Sequence, residues 1–266
     1  MGEMHPSVLI GVVALAALYA VVVRRAGRRV AGRQLVAFAA ALLTIVVALD
    51  GPIDGLADAR LFSAHMLEHL LLALVMPPLL LLGMPGWMLA PLLRRPAVRR
   101  VARTLTQPLV AFALYNGFLA LIHTPPVFEL MVRNDQVHIA MHVGLMVTGT
   151  LFWWALLSPS PELPRLPYPA QTLYLFLNLI PMAAISAPIT LASTVIYPWY
   201  LEGPHPWGIP PLADQRLGGL MMWVGAGLYL MAVFSLMFFR WAQREDRDLP
   251  VVGRPAGPLT AARGAR

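Results

Sequence analysis

Seven stretches of this sequence, at about residues 6–23, 34–50, 61–83, 105–122, 137–157, 170–196 and 216–239, are almost continuously apolar. Roughly 20 such residues in an α-helix cross a hydrocarbon core about 30 Å thick while satisfying their own backbone polar groups. The pattern predicts an all-α, polytopic membrane helical bundle of about seven transmembrane helices. Composition agrees: 58% of the 266 residues are hydrophobic and only 12% are charged, about half the charged share of an ordinary soluble domain. No internal repeat, low-complexity block or inserted soluble domain interrupts the spans. The chain reads as one membrane domain over 1–240 and a tail over 241–266, charged and then rich in Pro, Gly and Ala, with the composition of a disordered cytoplasmic segment. Pro181 and Pro188 should kink or break the sixth helix, and Pro77-Pro78 should bend the third. A cleavable leader is not expected, because Arg24 and Arg25 follow the first apolar run instead of preceding it.

Arginine placement orients the bundle. Seventeen of the twenty arginines fall in the first, third and fifth connections and the tail, notably Arg24–Arg33 and Arg94–Arg103, against Arg60, Arg133 and Arg216 on the other side. The positive-inside rule then places the N-terminus outside and the C-terminus in the cytoplasm of a multi-pass protein of the plasma (inner) membrane. The formal charge of +7 and pI near 10.5 come from these membrane flanks, so the expected partner is membrane lipid and not nucleic acid. Trp199, Tyr200 and Trp207 in the longest outer loop fit an interfacial aromatic belt.

The sequence has no cysteine and no lysine, which excludes disulfides, thiolate metal sites, cysteine nucleophiles and Schiff-base lysines. In the predicted topology all seven histidines lie outside or in the outer half of the bundle. His65/His69 and His138/His142 are spaced i, i+4, which stacks each pair on one helix face, and His123 closes the fourth helix at the same end. Such pairs can share a metal ion or hold two adjacent ions, serve as haem ligands, or hydrogen-bond between helices. His69 sits about 13 Å into its helix, beside Glu68, the one acidic residue in the interior of a span. Glu68 could orient a histidine or ligate directly. His5 and His205 read as interfacial anchors, and Asp214 with Gln215 as a cap for the seventh helix. Met66, Met141, Met221 and Met222 lie near the same depth, where thioethers and imidazoles would suit Cu(I), although methionines in a membrane bundle are more often packing. Gly218-Gly219, Gly225 and Gly227 predict close helix contacts.

Three segments resemble the multi-spanning CtaG family of cytochrome c oxidase assembly factors. They are His65-Met66-Leu67-Glu68-His69 running to Pro77-Pro78 and Gly83; His138-Ile139-Ala140-Met141-His142 leading to Phe152-Trp153-Trp154 and Ser158-Pro159; and Tyr197-Pro198-Trp199-Tyr200, then Trp207-Gly208 and Asp214-Gln215-Arg216-Leu217-Gly218-Gly219. The resemblance covers about residues 45–240. It implies a non-enzymatic assembly factor for a haem-copper cytochrome c oxidase, assisting copper delivery or insertion at the extracytoplasmic side. Copper is then the expected cofactor, held by His65, His69, His138, His142 and His123, with Glu68 and Asp214 in support. The expected partners are oxidase subunits and periplasmic copper chaperones. The alternative is a haem-binding or electron-transfer protein with paired histidines as axial ligands. A di-metal hydroxylase fits less well, since the HxxHH boxes of those enzymes are missing. A metal-free scaffold for an oxidase subunit is the remaining alternative.

Overall fold

The computed structural model describes residues 6–203 and 205–248, the last three by backbone only, and every regular element among them is helical. In chain order these are α1 (Pro6–Ala26), α2 (Gly32–Leu49), α3 (Pro52–Asp58), α4 (Phe62–Leu70), α5 (Met76–Gly83), α6 (Ala90–Leu93), α7 (Pro96–Leu105), α8 (Pro108–Ile122), α9 (Pro125–Val132), α10 (Asp135–Leu157), α11 (Tyr168–Leu191), α12 (Pro211–Leu220) and α13 (Ala226–Asp248). π-Helical turns at Leu71–Val75 and Met221–Gly225 join α4 to α5 and α12 to α13. Six helices, counting α2–α3, α4–α5 and α12–α13 as continuous rods, are long and apolar enough to cross a membrane. The protein is a membrane protein.

The fourth expected span departs from a single straight helix. It is a pair, α7 and α8, bent by 64°. Pro108 cannot donate an amide hydrogen, Gln107 before it takes extended backbone, and α8 alone has 15 residues, short of the roughly 20 that span a bilayer. The sixth span departs in the other direction. α11 runs unbroken through Pro181 and Pro188 and stops at Leu191, five residues before the expected 196. α13 continues to Asp248, past the boundary expected at 240; the rest of the expected tail, and His5, lie outside the described residues.

The α4–α5 rod is the centre of the bundle. α5 packs between α2 and α10, α10 also packs on α8, α12 crosses α4, and α11 lies along α12 and α13. Pro77 and Pro78 leave the carbonyls four residues earlier, Ala73 and Leu74, without their helical donors. Two side chains from other helices replace them. Trp153 Nε1 donates to the Ala73 oxygen at 3.0 Å and the Tyr229 hydroxyl to the Leu74 oxygen at 2.8 Å. A buried acceptor left unmet costs about 1–3 kcal/mol, so the expected bend at Pro77-Pro78 becomes a π turn stitched to α10 and α13. A buried bond from Asn116 Nδ2 to Asn178 Oδ1, 2.9 Å, ties α8 to α11 in the same way.

Glycines let backbones meet. A Cβ on Gly83 would lie 2.6 Å from the Phe38 backbone nitrogen, and one on Gly219 would lie 2.5 Å from Thr190 Oγ1. Gly218 faces the Phe62 ring as closely, and Gly227 makes an ordinary contact with Met182. Gly225 faces open space, against the expectation of a close contact there. α1 is the most peripheral span, with Tyr19 its one buried residue; Tyr19 stacks on Phe38 at 3.9 Å and donates to the Gly83 carbonyl at 2.9 Å.

Candidate metal centre

Because α10 packs directly against the α4–α5 rod, the two histidine pairs face each other. Spans run alternately, so α4 and α10 both begin at the end of the bundle opposite the arginine-rich connections, and α8 ends there. His65 and His138 stack at 5.1 Å between ring centroids with planes 10° apart, and His138 lies 4.3 Å from His142. His69 is 4.5 Å from His65, 5.3 Å from His142 and 5.7 Å from His123, which caps the C-terminus of α8. Five histidines from three helices thus form one contiguous cluster. His65, His69, His123 and His142 are buried, and His138 is half-buried at the rim. His205, in the outer loop, stays apart from them, half-buried before the turn at Pro206–Gly208.

The donor set fits a metal ion. One ring nitrogen from each of His65, His138 and His142 lies within 4.8 Å of the other two. Nitrogens bound at about 2 Å to one tetrahedral ion are roughly 3.3 Å apart, so side-chain adjustments of about an ångström would close the set. His65 Nε2, His142 Nε2, His123 Nε2, both nitrogens of His69 and Glu68 Oε1 are buried without a hydrogen-bond partner. Each such group costs about 1–3 kcal/mol in an apolar interior, whereas a cation would engage the lone pairs directly. The opposite nitrogens are oriented: Nδ1 of His123 donates to the Leu119 carbonyl at 2.7 Å, and Nδ1 of His65 faces Glu68 Oε2 at 3.8 Å. In His123 this leaves Nε2 as the free lone pair, the usual arrangement for a ligating imidazole.

Asp214 caps a helix, but not its own. It lies inside α12, whose N-cap is Pro210, and it accepts from the backbone nitrogens of Phe62 and Ser63 and from the Ser63 hydroxyl. It therefore holds the first turn of α4, the helix that carries His65 and His69, and supplies negative charge at that N-terminus. Gln215 likewise ties down the exit of α11, accepting from Ile196 N at 2.7 Å and donating to Ile189 O at 3.3 Å.

An aromatic lid that the sequence did not announce covers the cluster. Tyr197 and Tyr200, expected in part as an interfacial belt, are buried. Phe128 stacks on Tyr197 at 4.0 Å and lies 5.4 Å from His65, while Phe62 meets Tyr197 at 5.4 Å and Tyr200 at 5.3 Å. Tyr197 also donates to the His123 carbonyl at 2.9 Å. Burial, with the Glu68 and Asp214 carboxylates adding to it, pushes the Tyr200 phenol well above its usual pKa, so it stays protonated. Met66 and Met222 are buried in this apolar group.

The rim of the lid is latched by charge. Glu202 accepts from Arg133 at 2.6 Å and from Arg60 at 3.4 Å; Arg60, itself at φ 69°, donates to the Trp199 carbonyl and lies 4.4 Å over the Trp199 ring. Glu129 accepts from both Arg133 and Trp199 N. The Arg133 hydrogen bond is the main cause holding the Glu202 carboxyl below the ordinary carboxylate pKa. A lowered pKa contributes stability that is present above the ordinary carboxylate value and lost as pH falls through the lowered one. Hydrogen exchange of the amides of 199–203 should therefore accelerate several-fold on acidification, after correction for intrinsic rates. Glu202→Gln should show the fast rate already at neutral pH. Equal protection in both proteins would show that the latch does not hold the lid.

Comparison with known sequences gives the frame for these residues. Residues 17–244 match the family described as cytochrome c oxidase caa3 assembly factor (Caa3_CtaG). Uncharacterized proteins of Mycobacterium bovis and Mycobacterium tuberculosis are each 32% identical over 206 residues, covering 71% of this chain and 31% of theirs. An uncharacterized protein of Mycobacterium leprae is 28% identical over 242 residues, 85% of this chain and 36% of its own. The chain thus spans about a third of the length of these curated relatives. No solved structure matches. With a family match that takes in every helix from α2 to α12 and all five clustered histidines, the chain belongs to the cytochrome c oxidase caa3 assembly factor (CtaG) family.

Proposed function

We propose that the protein serves oxidase assembly by holding copper, without catalysis, at His65, His138 and His142 on the extracytoplasmic side of the membrane. The observation that carries this is the convergence of three imidazole nitrogens within 4.8 Å from two helices. Imidazoles suit copper and zinc alike; copper is preferred because the family serves a haem-copper oxidase. Bound copper would supply the cargo for the oxidase. The chain's own part is to present imidazole lone pairs, with the Glu68 carboxylate beside His65, and to keep water out with the lid of Phe62, Phe128, Tyr197 and Tyr200. The haem alternative meets filled space: His65 and His138 stack on each other, and Phe128 packs on His65. Delivery of copper by an extracytoplasmic chaperone, and handover to an oxidase subunit, complete the proposal.

Detergent-purified protein should carry copper and show no haem absorption, and a His65/His69/His138/His142 quadruple alanine variant should carry none. A copper-free wild type would leave a scaffold role for the apolar helix faces. The side of the membrane rests on the arginine distribution. Reporter fusions at Gly55 and Asp135 should give extracytoplasmic signals, and a cytoplasmic signal at either would place the cluster on the opposite side.

A further inference from the structure

We infer that the cluster holds two monovalent copper ions, one on His65, His138 and His142 and a second, deeper one on His69 and His123, with His142 touching both groups. The inference rests on the copper reading above and extends it to residues outside the three-histidine set.

Three observations carry it. The first is a surplus of ligands. One tetrahedral ion takes at most four ligands, each about 2 Å from it, and the distance condition for a shared ion is met by His65, His138 and His142. The ring contacts then continue from His142 to His69 and from His69 to His123, away from the half-exposed rim at His138. The second is the state of these two further rings. His69 is buried with both nitrogens unbonded, and His123 with Nε2 unbonded. A buried histidine retained only for packing would be destabilising by about 1–3 kcal/mol per unmet nitrogen, and Leu or Phe would fill the space without that cost. The Leu119 carbonyl fixes the His123 tautomer so that its Nε2 lone pair is the free one. The third is geometry. The two rings stand edge to face, 84° apart, with centroids 5.7 Å from each other. Two imidazoles bridged by one ion at about 2 Å from each nitrogen have centroids roughly 6 Å apart. A pair of imidazole nitrogens suits a d10 monovalent ion, which accepts low coordination, in preference to a divalent one.

The test is metal stoichiometry and ligand number in the full-length protein in detergent, loaded with Cu(I) under a reductant and desalted. Wild type should retain two copper ions per chain. His123→Phe and His69→Phe, each of which keeps a ring in the space, should retain one, and X-ray absorption should report three nitrogen ligands on it. His65→Phe/His138→Phe should also retain one, now with two nitrogen ligands at the shorter distance of a two-coordinate ion. Size-exclusion profiles matching wild type confirm the fold of each variant. One ion in wild type, unchanged by His123→Phe and His69→Phe, overturns the second site and leaves the proposed function standing. Two ions retained in both of those variants overturn it as well. No copper in wild type removes both readings together.

Discussion

Alanine at His69 is expected to lower the activity of the oxidase that the protein is proposed to serve roughly tenfold or more, while the variant itself accumulates normally. Loss of groups in or around a metal site typically costs about 10–100-fold in affinity or activity. His69 is buried, one helical turn below His65, and in ring contact with His65, His123 and His142. Folding should tolerate the change, because the ring removed has both nitrogens unbonded, and deleting an unmet polar group offsets part of the cavity cost. Added copper should restore part of the activity, since mass action raises the occupancy of a weakened site. His205→Ala, outside the cluster, should change little. Oxidase activity measured in cells carrying each variant, with protein level checked by a tag, decides the matter. Full activity in the His69→Ala strain would remove this histidine from the copper path.

Leucine at Gly83 is expected to strip most of the protein from the membrane fraction. A Cβ there would lie 2.6 Å from the Phe38 nitrogen and 2.8 Å from its Cα, both backbone atoms of α2. No rotamer relieves that contact, so α2 must move away from α5. Overpacking of a tight core costs about 1–3 kcal/mol and sometimes more, and here it also strains the Tyr19 hydrogen bond to the Gly83 carbonyl. Gly117→Leu is the matching control, because a Cβ there would have nothing within 4 Å and the position is exposed. Normal accumulation and thermal stability of Gly83→Leu in detergent would show that the α2–α5 contact is not needed for folding.

The proximity of the paired histidines is largely legible in the sequence. Spacing of i, i+4 places His65 with His69 and His138 with His142 on single helix faces whatever the tertiary fold, and antiparallel spans bring odd and even helix ends to defined sides. Those rules are local or topological, and the structure brings all four together with His123. Asp214 shows where local reasoning stops. Its carboxylate accepts from Phe62 and Ser63, about 150 positions away in the chain, and no near-neighbour rule reports on a cap donated by another helix. The lid of Tyr197 and Tyr200 was hidden for a related reason: an aromatic residue in an outer loop has the same sequence signature at a lipid interface as folded inward over a site.

Proline made the same division visible inside the spans. The sequence by itself determined an all-helical membrane chain, the approximate spans, the clustering of histidines at one end and the donors lost at Pro77 and Pro78, because apolar length, helical period and a missing amide hydrogen are properties of the chain. Only the tertiary structure decided how each defect is resolved. Trp153 and Tyr229 reach the stranded carbonyls of Ala73 and Leu74 and let the third span continue through a π turn. At Pro108 the chain bends by 64° into two helices. A backbone group orphaned in an apolar interior must find a partner, and which partner it finds depends on the neighbouring helix that packing brings within reach.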